Sequence, residues 1–460
     1  MLRSVLPPVN RLPPEIISCI ARCVLEDGGV DATSVVPLTH VCRHWRNCIV
    51  STPGIWALIY SERAKLAELS LKRAKAAPLT IRLDLGGLTR KFLDILLPHF
   101  QNTVSFTCIN LSNIGDLTRL LNFPKSMPNL RSLSLTNPRY GDPMSQPVDP
   151  FDFSAHTALR ELSLCNIPLV PSILSLRTLT KFSLLNHNFR LHIDILLDLL
   201  EENRALESAS LRIRFAKPSL CHSQRRAPIG NKLQHLSISS DNTGNIRALI
   251  SGIALRGGGT LEIVHAGMNA ELTSILSGVS LTHLPNLSFP PTIMEYGPFP
   301  RSIRLLGPGG SFSYKGLVNT ECAFGEFPLL PLTNIRELRL ECHGPWILRQ
   351  FRLSSFPSLE VLAVDGTSKV SLLSPVLPDP ATSPSLKTLA FLDCVIKEEF
   401  MAQLAKVAFY RKNSPSTPLR RVIIINSEGD LPAATSIEQL RKHVSVVEVL
   451  EGRGFPKDLS

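Results

Sequence analysis

The sequence predicts an α/β protein in which an amino-terminal module of three short helices precedes a curved solenoid of strand–turn–helix repeats. Three observations lead there. Apolar residues recur at three- and four-residue steps over residues 11–60. A strict two-residue alternation sets in at Leu79, and an apolar-x-x-apolar-x-apolar unit then returns along much of the chain. At 460 residues the chain is too long for one ordinary core, so two or three domains or one elongated array is expected. Hydrophobic content of 44% with 19% charge marks a folded protein, and only 6% aromatics means a core built mainly from aliphatic side chains.

The helices come first. Leu12-Pro13-Pro14-Glu15 opens one, because proline is tolerated in an opening turn and a carboxylate suits the positive helix end. Ile16, Ile17, Ile20, Cys23 and Val24 then form one stripe, which Gly28-Gly29 ends. Leu38, Val41, Trp45, Cys48 and Ile49 predict a second helix. Ser51-Thr52-Pro53 stops it and starts a third, with Thr52 as N-cap, Pro53 as first helical residue, and Ile55, Trp56 and Ile59 on the apolar side.

The runs LPPEII and VPLTHVCRHWRNCIVSTPGIW resemble the F-box motif, in the form common in fungal F-box proteins. The matching elements are the Leu-Pro before the first helix, the Val-Cys-Arg-x-Trp-Arg core and the Ser-Thr-Pro-x-x-Trp close. The chain departs from the pattern in the extended segment EDGGVDATSV, which leaves the start of the second helix open. The resemblance implies docking onto a Skp-family adaptor and, through it, a cullin–RING ubiquitin ligase. Leu12, Pro13, Ile16, Ile20, Val41 and Trp45 would supply that contact or its supporting core. A unit this small cannot bury every apolar stripe by itself, so part of that surface is expected to meet a partner. The alternative is that Ile20, Val41 and Trp45 are internal core.

After Pro78, the alternation Leu79, Ile81, Leu83, Leu85 predicts a strand. The repeating unit appears as NLRSLSL, ALRELSL, TLTKFSL, ALESASL, KLQHLSI, NIRELRL, SLEVLAV, SLKTLAF and PLRRVII. Its first apolar residues, Leu130, Leu159, Leu179, Leu206, Leu233, Ile335, Leu359, Leu386 and Leu419, are separated by 29, 20, 27, 27, 102, 24, 27 and 33 residues. Apart from the long gap, most of these spacings fit the leucine-rich-repeat period of roughly 20–29 residues. The gap contains the weaker candidates TLEIVHA, HLPNLSF and RSIRLLG, read as degraded repeats. Helical stripes lie between strands at Ile193, Leu196, Leu197, Leu200 and at Phe400, Leu404, Val407, the latter opened by Glu398-Glu399 and closed by Arg411-Lys412. Ser436-x-x-Gln439 is a capping-box pattern before the last strand. Irregular loops are expected at 136–156, 214–231 and 371–385.

No catalytic motif emerges. The glycine-rich runs at 255–260 and 306–311 lack the Gly-Lys-Ser/Thr ending of a phosphate loop and read as turns. Neither a Gly-x-Ser-x-Gly elbow nor His-Glu-x-x-His occurs. The net charge of +11 is spread in pairs such as Lys72-Arg73 and Arg420-Arg421, without the clustering that nucleic-acid binding needs. No run of apolar residues is long enough for a membrane helix, and the first residues contain no apolar signal core. The ten cysteines form no CxxC pair and are expected as free thiols of a cytoplasmic or nuclear protein. In His40-Val41-Cys42-Arg43-His44 the ligand-type residues fall on different helix faces, so neither a metal nor a cofactor is expected.

The expected organisation is therefore a helical module at 1–60, a linking helix at 61–77, the repeats at 78–450 and a tail at 451–460. The expected function is a non-enzymatic adaptor of a Skp–cullin–F-box ligase whose repeats bind a protein target. The alternative is a ligase-independent interaction scaffold. Side chains alternate across a strand, so residues flanking the central leucines face outward. Among these, Glu161, Lys181, His235, Glu337, Arg339 and Glu341 are the candidate target-binding residues, accompanied by serines such as Ser163, Ser183 and Ser210. A projecting loop is the competing location.

Overall fold

The computed structural model describes residues 11–28, 32–60, 64–84, 90–110, 127–137, 153, 156–167, 171–186, 193–213, 229–230, 232–255, 259–265, 293–298, 301–307, 310–316, 332–341, 353, 356–365, 383–392, 398–414, 418–426 and 432–451. The chain divides into two compact units, Met1–Lys217 and Pro218–Ser460.

The first unit begins with α1 (Pro14–Gly28), whose opening amides from Ile16 and Ile17 bond back to the Pro13 carbonyl at 3.1 and 3.2 Å. Two 3-10 turns follow, Ala32–Val35 and Pro37–His40, before α2 (Arg43–Ser51). The predicted second helix is thus divided. Pro37 opens a tight turn, and Cys42 is extended (φ −163°, ψ 174°), so the helical register restarts at Arg43. The predicted third helix is a single 3-10 turn, Pro53–Trp56, that runs directly into β1 (Leu58–Tyr60). Thr52 sits at its N-cap position, but the hydroxyl turns back to donate to the Cys48 carbonyl at 2.7 Å. α3 (Ala64–Ala74) then lies against that turn, with the Arg73 guanidinium 4.2 Å above the Trp56 ring. The ring nitrogen of Trp56 donates to the Ile49 carbonyl at 2.9 Å.

The described strands of this unit form a parallel sheet. β1, β2 (Leu79–Asp84), β3 (Thr103–Ile109), β4 (Ser132–Thr136), β5 (Glu161–Cys165), β6 (Lys181–Asn186) and β7 (Ser208–Ile213) pair in chain order, every ladder parallel. Burial alternates along the strands, so one face holds Leu133, Leu135, Leu162, Leu164, Phe182 and Leu184. α4 (Arg90–Leu96) and α5 (Ile193–Glu202) lie between strands in the sequence, and Ile193, Leu196, Leu197 and Leu200 are all buried. A recurring turn precedes several strands: Leu130, Leu159 and Leu206 donate to the carbonyls of Met127, His156 and Asn203 three residues earlier. This closes the chain in one tight bend and delivers the leucine into the core. Asparagines follow or end the strands at Asn110, Asn137, Asn166 and Asn186, a recurrence that the apolar pattern hides.

The second unit contains a two-residue ladder, β8 (Ile229–Gly230) with β10 (Ile253–Ala254), and a larger mixed sheet. In that sheet β9 (His235–Ser240) pairs with β11 (Thr260–His265), and β11 with β14 (Gly310–Gly316), both in parallel. β13 (Arg301–Gly307) runs antiparallel to β14 and to β12 (Ile293–Pro298). Parallel pairing then resumes from β12 through β15 (Glu337–Glu341), β16 (Val361–Asp365), β17 (Thr388–Leu392), β18 (Arg421–Asn426) and β19 (Val446–Glu451). Among the described residues, three α-helices belong here: α6 (Thr243–Gly252), capped by the Asn242 side chain, α7 (Glu398–Lys412) and α8 (Ala434–Arg441). Phe400 of α7 meets Phe391 of β17 edge to face at 5.1 Å.

These observations correct the expected fold class. The α/β content is present, but the described residues form neither a three-helix amino-terminal module nor a curved leucine-rich-repeat solenoid. The amino-terminal helices lead straight into a strand of the first unit's sheet. The antiparallel passage β12–β13–β14 breaks the parallel succession that stacked repeats require. RSIRLLG is part of that passage rather than a degraded repeat, and HLPNLSF lies outside the described residues. Among the described residues, no helix is long and apolar enough to cross a membrane.

Candidate functional site

The amino-terminal candidates separate by exposure. Ile16 and Val41 are exposed large apolar residues, 47% and 48% accessible. Pro13 is exposed, and Leu12 and Ile20 are half-buried. Trp45 is buried in the core. Ile16 and Ile20, one helical turn apart, share a face of α1. His44 of α2 ties its ring Nε2 to the Leu12 carbonyl at 2.9 Å, bringing the Leu12-Pro13 entry against the start of that helix. Ser18 of α1 and Thr52 share a hydroxyl–hydroxyl bond of 3.1 Å. These bonds tie the Leu12-Pro13 entry to α2, and α1 to the Ser-Thr-Pro segment.

Parallel register brings the outward strand residues into rows. Thr107, Ser134, Ser163, Ser183 and Ser210 form one row across β3 to β7. The next row reads Ser105, Ser132, Glu161, Lys181 and Ser208. Within it, Lys181 Nζ donates to Glu161 Oε1 at 2.8 Å. That bond from Lys181 holds the Glu161 carboxyl below its ordinary pKa, against the smaller opposing effect of burial. His235 is exposed on β9, opposite Thr260 of β11.

The expected orienting patch is arranged differently. Arg339 Nε donates to Glu337 Oε1 at 2.6 Å within the same strand, and both side chains are largely covered. Glu341 ends β15, and its side chain lies outside the described residues. The outward face turns apolar immediately beyond Arg339: Val361, Ala363, Ala390, Leu392, Ile423 and Ile425 form a buried cluster. Charge returns at the last pair, where Arg421 makes a two-point contact with Glu448 (3.1 Å each). The signal for this apolar face was the near-continuous apolar composition of VLAVD, TLAFL and RVIII, which marks strands buried on both faces.

Among the described residues, no group of three metal-ligating side chains comes together. His44 is engaged with Leu12 as above, and Cys48 Sγ lies 3.8 Å from His44 Nδ1. The free cysteines include Cys19, Cys23, Cys42, Cys48, Cys108 and Cys165. Burial pushes the Cys108 thiol up to about 12, with the nearby Asp84 charge adding to the effect. The expected loops at 136–156, 214–231 and 371–385 fall almost entirely outside the described residues. No protein-family model matches the chain, and no curated protein matches it.

Proposed function

We propose that the chain is a non-enzymatic binding adaptor of a Skp–cullin–F-box ubiquitin ligase. Its amino-terminal residues 1–60 dock a Skp-family adaptor, and its outward strand rows present a protein target for ubiquitin-dependent degradation. The observation that carries this reading is the exposure of Ile16 and Val41. Ile16 lies in the first and Val41 in the second of the two runs that resemble the F-box motif, and both are large apolar side chains left at the surface while Ile17, Trp45 and Trp56 are buried. Apolar groups displayed on a well-anchored framework gain free energy by meeting a partner.

The test is co-purification of a Skp-family adaptor with the full chain. Leu12→Ala with Pro13→Ala, and separately Ile16→Glu with Val41→Glu, should each reduce adaptor recovery while leaving thermal unfolding unchanged. Undiminished recovery by both folded variants would overturn the docking surface. A ligase-independent scaffold is favoured instead if target capture persists while no Skp-family adaptor is recovered with the parent chain. The exposed Glu161–Lys181 pair could serve that second role without the amino-terminal residues.

A further inference from the structure

We propose that the joined carboxy-terminal ends of α7 and α8 form a second docking surface, for an acidic protein segment that inserts an apolar side chain. This inference does not rest on the ligase reading, since none of its residues belongs to the amino-terminal surface or the strand rows.

Two adjacent aromatics of α7 stand in solvent, Phe409 at 48% and Tyr410 at 58% exposure. The Phe409 ring meets Tyr410 edge to face at 5.9 Å and His443 at 5.4 Å. Lys412 Nζ donates to the Lys442 carbonyl at 3.0 Å, which joins the two helix ends and fixes the aromatic group against both. Lys412, Arg441 and Lys442 are all exposed, and none pairs with a carboxylate among the described residues. Glu438, one turn before Lys442, is the acidic residue on the same helix. Glu398 and Glu399 sit at the opposite end of α7.

Cations at helix ends are expected, because they complement the negative pole of the dipole. That accounts for Lys412 and Arg441 but not for two large rings beside them in water. Exposed aromatics flanked by cations have the composition of an interface centre with its rim. Positive charge selects an acidic partner. A single-stranded nucleic acid would use ring faces as successive stacking platforms. Here Phe409 meets both neighbouring rings at steep angles, 70° and 77°, so the rings make no parallel series. The arrangement favours an inserted side chain with acidic flanks.

The probe is a labelled Glu-Glu-Glu-Trp-Glu-Glu-Glu peptide, titrated with the full chain and followed by fluorescence anisotropy. Saturable binding that weakens as salt rises is expected. Phe409→Ser with Tyr410→Ser, and separately Arg441→Glu with Lys442→Glu, should each weaken it by at least about tenfold, as loss of an interface anchor does. All four side chains are exposed, so both variants should melt with the parent. Replacing the peptide's tryptophan by alanine should weaken binding similarly. The proposal is overturned if the parent shows no saturable binding, if both folded variants bind as the parent does, or if oligothymidylate binds more tightly than the peptide.

Discussion

Arg411 donates from Nη2 to the Ser383 backbone carbonyl at 2.6 Å and to the Ser383 hydroxyl at 3.0 Å. Its Nη1 donates to the Leu386 carbonyl at 3.1 Å. The side chain is wholly buried, and that burial lowers its pKa from the ordinary arginine range. Its partners are the two ends of the turn that delivers Leu386 into the core ahead of β17, so the guanidinium fastens α7 to the sheet's entry turn.

Arg411→Met should therefore destabilise the second unit by about 2–4 kcal/mol, because it removes the donors to the Leu386 carbonyl and the buried Ser383 hydroxyl and leaves the Ser383 carbonyl with the Leu386 amide alone. Arg411→Lys keeps a donor and should recover part of the loss. Urea unfolding measures both. A methionine variant as stable as the parent would show that water serves the turn equally well.

Asn166 has a left-handed backbone (φ 53°), is buried, and donates from its side chain to the Asn137 carbonyl at 3.0 Å. Asparagine tolerates this conformation and alanine does not. Asn166→Ala should thus cost about 2–3 kcal/mol, from the lost hydrogen bond and the backbone strain together. Asn166→Gly removes more atoms yet relieves the strain, so it should be the more stable of the two. Thermal unfolding in the reverse order would remove the backbone argument.

Strand positions were legible because alternation is a local signal. The outward and inward sets of β4 to β7 follow directly from SLSL, ELSL, KFSL and SASL. Strand direction leaves no mark in an apolar pattern, so the antiparallel β13 was invisible in RSIRLLG. Ile55, Trp56 and Ile59 fit a helical spacing, but three residues cannot separate a helix from one turn followed by a strand. The candidate docking surface was only half legible. Ile16 and Ile17 are adjacent members of one apolar stripe, and only packing decides that Ile17 is covered and Ile16 is not. Arg411 looked like a dipole complement at a helix end because its partners lie 25 and 28 residues away.

Cysteine reactivity should follow burial. Cys19 and Cys23 are exposed, whereas Cys48 and Cys108 are buried. Iodoacetamide near neutral pH should label the first two early and Cys108 only on unfolding. The Cys108 thiol is raised from its ordinary 9.0 to about 12, so the folded state holds the proton more tightly. Its contribution is complete below the unfolded value and lost as pH rises from about 9.0 towards 12. Cys108→Ala should flatten the decline in stability over that window, read by urea titrations at stepped pH. An unchanged slope would assign the alkaline loss to other groups.

The outward rows of the first unit make the sharper test of target binding. Arg339 is unsuitable, because it is largely covered and paired with Glu337. Reversing it would set two carboxylates together in a half-buried place, and lost capture would then be confounded with lost folding. Glu161 and Lys181 are more open, and serines flank them in register on β4 and β7. Lys181→Glu sets two carboxylates opposite each other at the surface, where solvent screens their repulsion. It should reverse the local charge without unfolding the sheet. Ser183→Trp would raise a bulky ring from the centre of the serine row, which close approach by a partner cannot tolerate. Both variants should keep adaptor recovery and thermal unfolding. Both should lose the proteins that accumulate with the parent chain when the proteasome is inhibited. Retained capture by both, with loss on deleting residues 138–152, would place the target on that segment instead.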